Sequence, residues 1–244
     1  MNRPTIGRRM RSALVALTIT AAAAGTSVAV AGPASAVTSV ACTTSTVVDL
    51  NTHTSNQVVK WNDFEAIHVN VKASCTDGKS YVSGSGITTL YKSIDGGNTW
   101  SVVKRAGDYS AESISFYGTN VVQRNTIYYA KYSGGSYNNG YTQWTYPASS
   151  DNIAVGVIRD VKETHSSCGT RGCADNFKVS PASSISGLKV IIQKHTSTGW
   201  HFNTSVKASS TGTFKHFFTR GKWRFQLPGS RGFLKSVTGS LTVY

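Results

Sequence analysis

The chain is short of charge and shorter still of acid. Only 15% of its 244 residues are charged, and 25 Lys and Arg stand against 11 Asp and Glu. An average soluble protein is about a quarter charged. A charge-rich disordered chain and a coiled coil both need more, and are excluded. Strong helix formers are displaced by 32 Ser and 28 Thr, residues that long helices disfavour and extended structure tolerates. That excludes a helical bundle. The length falls just short of a TIM barrel or a complete multi-bladed propeller. No G-x-S-x-G, H-E-x-x-H or P-loop pattern occurs, so the common hydrolase, zinc-protease and nucleotide-binding signatures are missing. Beyond Ala31 no apolar run approaches the roughly 20 residues needed to span a bilayer. The carboxyl end is Leu241-Thr242-Val243-Tyr244, which carries no sorting tail.

What the N-terminus does carry is a targeting pattern. Arg3, Arg8, Arg9 and Arg11 precede an apolar stretch from Ala13 to Ala31, closed by Ala34-Ser35-Ala36. A basic flank, an apolar core and a small-x-small exit define a secretory signal peptide, residues 1–36. Thr18, Thr20, Gly25, Thr26 and Ser27 interrupt the apolar core, which argues against a retained anchor. With four cations in the leader, the mature chain carries 21 cations and 11 acids, a net charge of +10. The expected location is extracellular, with no transmembrane anchor in the mature form.

Four cysteines remain: Cys42, Cys75, Cys168 and Cys173. An even count in an exported chain suggests disulfides. Three pairings exist. Cys42–Cys75 with Cys168–Cys173 is favoured, because each half then closes its own loop. The spacings fit no zinc pattern, and His165 stands alone beside them, so no metal or other cofactor is expected.

Hydrophobic alternation dominates the mature chain. Ala66–Val71, Ser113–Phe116, Val155–Ile158, Leu188–Ile192 and Val237–Val243 are strand candidates, and Asp95-Gly96-Gly97-Asn98 is a turn. The two halves repeat a pattern of strand, polar turn, Trp, strand. Thr89 to Val103, with Trp100, aligns with Val190 to Asn203, with Trp200. Downstream, Thr126 to Tyr132 parallels Lys222 to Leu227. Strands recur every 8–12 residues or so, the spacing of a sandwich.

These residues carry a resemblance. Gly199-Trp200, Gly212-Thr213-Phe214, Trp223-Arg224, Pro228-Gly229 and Leu241-Thr242-Val243 follow the rhythm of tandem bacterial immunoglobulin-like domains in proteins secreted by actinobacteria. Residues 177–244 or thereabouts resemble them fairly well, and the first half, with its longer loop, loosely. The resemblance implies two tandem immunoglobulin-like β-sandwiches, each of about seven strands, at 37–158 and 159–244. It implies no catalytic residues.

Ser93-Ile94-Asp95-Gly96-Gly97-Asn98-Thr99-Trp100 matches the Asp-box pattern, in which Asp binds turn amides and Trp packs beneath the hairpin. It is a structural staple in the propellers that use it. The close carboxylate pairs Asp63/Glu65 and Asp160/Glu163 sit in polar, turn-like context. A small secreted glycan hydrolase is therefore the alternative to a binding protein. Cys168-Gly169-Thr170-Arg171-Gly172-Cys173 would display Arg171 on a stapled loop, and a protease-inhibiting module is the second alternative, with a protein partner.

Two candidate surfaces remain. The segment Tyr128 to Tyr146 mixes aromatics with Gly and Asn, the composition of a paratope. Its candidate contacts are Tyr132, Tyr137, Tyr141 and Trp144. From Lys178 to Tyr244 there are ten Lys and Arg and no acid. Lys215, Arg220, Lys222 and Arg224 gather about one predicted turn. Alternation puts Lys222 and Arg224 on one face, with Trp223 and Phe225 on the other. The expected function is a non-enzymatic binding or adhesion module for anionic wall or matrix polymers, with nucleic acid bound only non-specifically.

Overall fold

Strict alternation builds the first strand. In β1 (Thr38–Leu50), Val40, Cys42, Thr46, Val48 and Leu50 are buried while the residues between them face solvent. The computed structural model describes residues 36–50, 57–63, 65–80, 82, 84, 86–107, 113–118 and 122–244. The leader lies outside the described residues, except for Ala36. Residues Ala36–Tyr244 form one compact unit.

The first half continues with β2 (Val58–Lys60), β3 (Glu65–Cys75), β4 (Ile87–Ser93), β5 (Ser101–Gly107) and β6 (Ser113–Gly118). It ends with β7 (Thr126–Tyr132), β8 (Gly135–Asn138), β9 (Thr142–Tyr146) and β10 (Ser149–Ile158). One sheet has the order β6-β3-β1-β9-β8 and the other β2-β10-β7-β4-β5. Strand β1 runs antiparallel to β3 and parallel to β9. Between the sheets lie two apolar clusters. One includes Val48, Ile67, Leu90, Tyr128 and Val155. The other includes Val40, Val71, Tyr132, Trp144 and Tyr146.

The second half contains β11 (Asp160–Gly169), β12 (Gly172–Ser180), a four-residue helix α1 (Ala182–Ile185), β13 (Lys189–Thr196) and β14 (Gly199–Lys207). It closes with β15 (Thr213–Phe218), β16 (Gly221–Leu227), β17 (Ser236–Val237) and β18 (Leu241–Val243). Its sheets are β11-β12-β15 and β14-β13-β16-β17, with β18 also on β16. Phe177, Ile192, Phe214, Phe218, Trp223 and Phe225 fill the space between them. Four of these rings, Phe177, Phe214, Phe218 and Phe225, pack at centroid separations of 4.6–6.0 Å.

The fold is all-β, two tandem β-sandwiches, as expected. Among the described residues the first half has ten strands rather than about seven: β8 and β9 form an additional hairpin on β1, and the three-residue β2 pairs with β10. The expected strand Val237–Val243 is broken into β17 and β18 at Thr238-Gly239-Ser240, where the Thr238 hydroxyl accepts from Phe225 N at 2.9 Å. Both disulfides form as expected, and each joins directly opposed residues of two antiparallel strands.

Candidate functional site

Alternation along β16 buries Trp223, Phe225 and Leu227 and turns Lys222 and Arg224 outward. The register carries that outer face across the sheet. Arg224 lies opposite Gln193, which lies opposite Phe202. Two residues along, His195 pairs with Trp200. At the far end, Lys189 stands directly opposite Lys207, both exposed. Like charges in that position repel. The face thus presents Lys189, Lys207, Lys222 and Arg224 around Trp200 and Phe202, the latter 65% exposed.

Arg224 is held in place rather than free. Its guanidinium lies 4.4 Å from the Trp200 ring centroid, and its Nε donates to Gln193 Oε1 at 2.7 Å. Cation–π contact and one hydrogen bond fix the fork, while its Nη groups have no partner among the described residues. Lys194 packs toward the core side. Its Nζ donates to Thr219 Oγ1 at 2.8 Å and lies 4.9 Å from the Trp223 ring.

The four basic residues singled out in the sequence do not form one cluster. Lys222 and Arg224 share a face, and Arg220 is exposed in the turn before them. Lys215 lies on β15, in the other sheet, where Phe214 and Phe218 point inward and Lys215 points out. The register instead adds Lys189 and Lys207. The β13–β14 alternation held that information, but it becomes readable only once the pairing is known.

The aromatic segment is mostly structural. Tyr132 is wholly buried and Trp144 is 9% exposed, so neither is open to a ligand. Trp144 donates Nε1–H to Asp77 Oδ2 at 2.7 Å, and Lys79 Nζ lies 4.0 Å above its ring. That hydrogen bond holds the Asp77 carboxyl below its ordinary range. Tyr137 stacks on Trp144 at 5.8 Å. Of the four candidate contacts only Tyr141, 78% exposed, faces open solvent.

The Cys168–Cys173 hairpin tip is a two-residue turn, Thr170-Arg171, between paired glycines. Arg171 is exposed there in a tight turn, not an extended segment. Cys168, Cys173 and Asp175 bring ligand atoms within 4.8 Å of one another. Both sulfurs are consumed by the disulfide, and Asp175 accepts from Ser166 Oγ at 2.6 Å.

At the Asp box, Asp95 Oδ1 accepts from Thr99 N at 2.9 Å and Ser93 Oγ at 2.7 Å, and Oδ2 accepts from Thr99 Oγ1 at 2.6 Å. These bonds lower its pKa to about 2, the Thr99 hydroxyl contributing most. Trp100 packs only partly beneath the hairpin, with its ring beside Gly97 of the turn. It is 44% exposed and meets Tyr129 at 5.7 Å on the outside of the sheet.

No family model matches the chain, and no curated protein matches it. A solved fragment of native alpha-2-macroglobulin from Escherichia coli, spanning domains MG0-NIE-MG1, is 8% identical with a TM-score of 0.24. The match covers 79% of this chain and 63% of that one, so the chain spans less than two thirds of the fragment's length. Among the described residues no helix is long and apolar enough to cross a membrane. The disulfides suit an oxidising compartment.

Proposed function

We propose that this is an exported, non-catalytic module that binds anionic polymers of a cell wall or extracellular matrix through the outer face of the β14-β13-β16 sheet. The single observation carrying this reading is the set Lys189, Lys207, Lys222 and Arg224 on one face, within a segment, 178–244, that holds ten cations and no acid. The ion pair found among the described residues, Lys162–Asp160 at 3.7 Å, lies elsewhere. Opposed Lys189 and Lys207 are relieved when a phosphate or carboxylate sits between them. The ordered guanidinium of Arg224 suits bidentate contact with the same groups. Secretion rests on the leader pattern, and kinship with exported actinobacterial proteins rests on the sequence resemblance.

Binding of the full mature chain to purified bacterial cell walls tests this at low and high salt. Affinity should fall steeply with salt, because each neutralised phosphate releases counterions. Lys222→Glu with Arg224→Glu should weaken binding at least tenfold without unfolding the sandwich. Binding that ignores both salt and these substitutions overturns the reading.

A further inference from the structure

The first half carries a second surface of different character. On the outer face of the β2-β10-β7-β4-β5 sheet, Tyr91 pairs in register with Tyr129, their centroids 6.0 Å apart. Trp100 joins Tyr129 at 5.7 Å. With Lys131 these rings line an open groove of 460 Å³. It runs on into a second groove of 260 Å³ that shares Tyr91 and Lys131 and adds Thr89, Arg105 and Ser133. Thr89 is opposite Lys131 on one side and Arg105 on the other, so the two exposed cations flank a small, buried Thr. Strand spacing puts their backbones roughly 10 Å apart. No carboxylate lines either groove.

Three large rings gathered at the surface of a folded protein need an explanation, since their natural place is the core. Here they are held rigidly. Tyr91 and Tyr129 sit on paired central strands. Trp100 follows Thr99, whose amide and hydroxyl are both bound by Asp95. A preformed aromatic surface costs little entropy to occupy.

We infer that this face binds a strand of an acidic polysaccharide, with sugar rings laid on Trp100, Tyr129 and Tyr91 and carboxylates met by Lys131 and Arg105. Ring faces offer flat apolar contact to the C–H faces of pyranoses. A uronic acid carries its carboxylate on the same pyranose whose face would stack, so one sugar can meet both a ring and a cation. Two cations, Lys131 and Arg105, are few for a groove that tracks a phosphodiester backbone. Asp95 acts as a positioning residue, through Trp100.

The test uses the full chain carrying Lys222→Glu and Arg224→Glu, so that the basic face of the second half is disabled whether or not it binds. Polygalacturonate is the probe, neutral dextran and an oligothymidylate are the comparators, and calorimetry with tryptophan fluorescence is the readout. Polygalacturonate should bind and quench tryptophan emission, with dextran at least tenfold weaker. Trp100→Ala and Lys131→Glu should each weaken polygalacturonate at least tenfold, while Trp100→Phe keeps most of the affinity. Asp95→Asn should weaken binding less than Trp100→Ala. Asp95, Trp100 and Lys131 are exposed, and a melting temperature unchanged from that of the parent chain separates lost contact from lost fold. The inference is overturned if polygalacturonate does not bind, or if binding is indifferent to Trp100→Ala and Lys131→Glu. It is also overturned if oligothymidylate binds more tightly with the same dependence, which would make nucleic acid the occupant.

Discussion

Asp95 and Trp100 are five positions apart and divide sharply in how well local pattern foretold them. Asp95 was legible as a turn-former because its partners, Ser93 and Thr99, are within four residues. Its pKa of about 2 lies below that of the unfolded chain, so the bonds it accepts stabilise the hairpin above the ordinary carboxylate range and are lost as pH falls through about 2. A carbon-detected NMR titration should find Asp95 still largely ionised at pH 3, below the ordinary carboxylate range. An ordinary value would show the turn to be loose. The Asp-box pattern puts Trp100 beside the turn but says nothing of its other side, which joins Tyr129 on an exposed face because a local pattern does not report whether that face is covered. The same limit applies to Tyr132 and Trp144, where a loop-like composition concealed burial: Gly and Asn set the turns around them, while the rings go inward.

Elements whose partners are near in sequence were the readable ones. The β4–β5 and β13–β14 hairpins and the inward row of β16 follow from alternation and turn residues. The additional β8–β9 hairpin on β1 did not, because its attachment joins Thr38 to Thr142 and no local signal reports so distant a pairing. The disulfides give a direct contrast at this scale. Cys42–Cys75 spans 33 residues and Cys168–Cys173 spans 5. Constraint of the unfolded chain grows with the loop closed, so loss of the first should cost about 4 kcal/mol and the second about 2 kcal/mol. Thermal melts of the Cys42→Ser/Cys75→Ser and Cys168→Ser/Cys173→Ser chains should show the larger drop for the first pair. Equal drops would mean that native contacts, not loop closure, set the cost.

Across the whole molecule the two sandwiches are joined by more than the peptide at Ile158–Arg159. Arg159 is buried and binds only uncharged acceptors: Ser184 Oγ and O at 2.9 and 2.8 Å, Ser230 O at 2.9 Å, and Pro228 O. Burial, with Arg231 nearby, brings its pKa down to about 10, so it stays charged at neutral pH. Its guanidinium also covers Phe233, a residue of the second half that is 6% exposed within the core of the first. Leu234 lies so close to Gly156 that a Cβ added there would clash with it. This tie was invisible in the sequence, since a Pro-Gly loop with one Phe resembles any surface connection. Phe233→Ala should cost about 3–5 kcal/mol. Calorimetry of the intact chain should show one unfolding transition, and Arg159→Ala should split it into two; two transitions in the unaltered protein would refute the coupling. The placement of β1 also governs the order of assembly. As the chain emerges from its N-terminus, β3 arrives early to satisfy one edge of β1. The other edge must wait for Thr142–Thr145. For most of the synthesis of the first sandwich, a 13-residue strand with Val40 and Cys42 at its open end therefore has a row of unpaired amides. The molecule is most exposed to wrong pairing with another copy before it is finished, and a holding chaperone would protect it most in that interval.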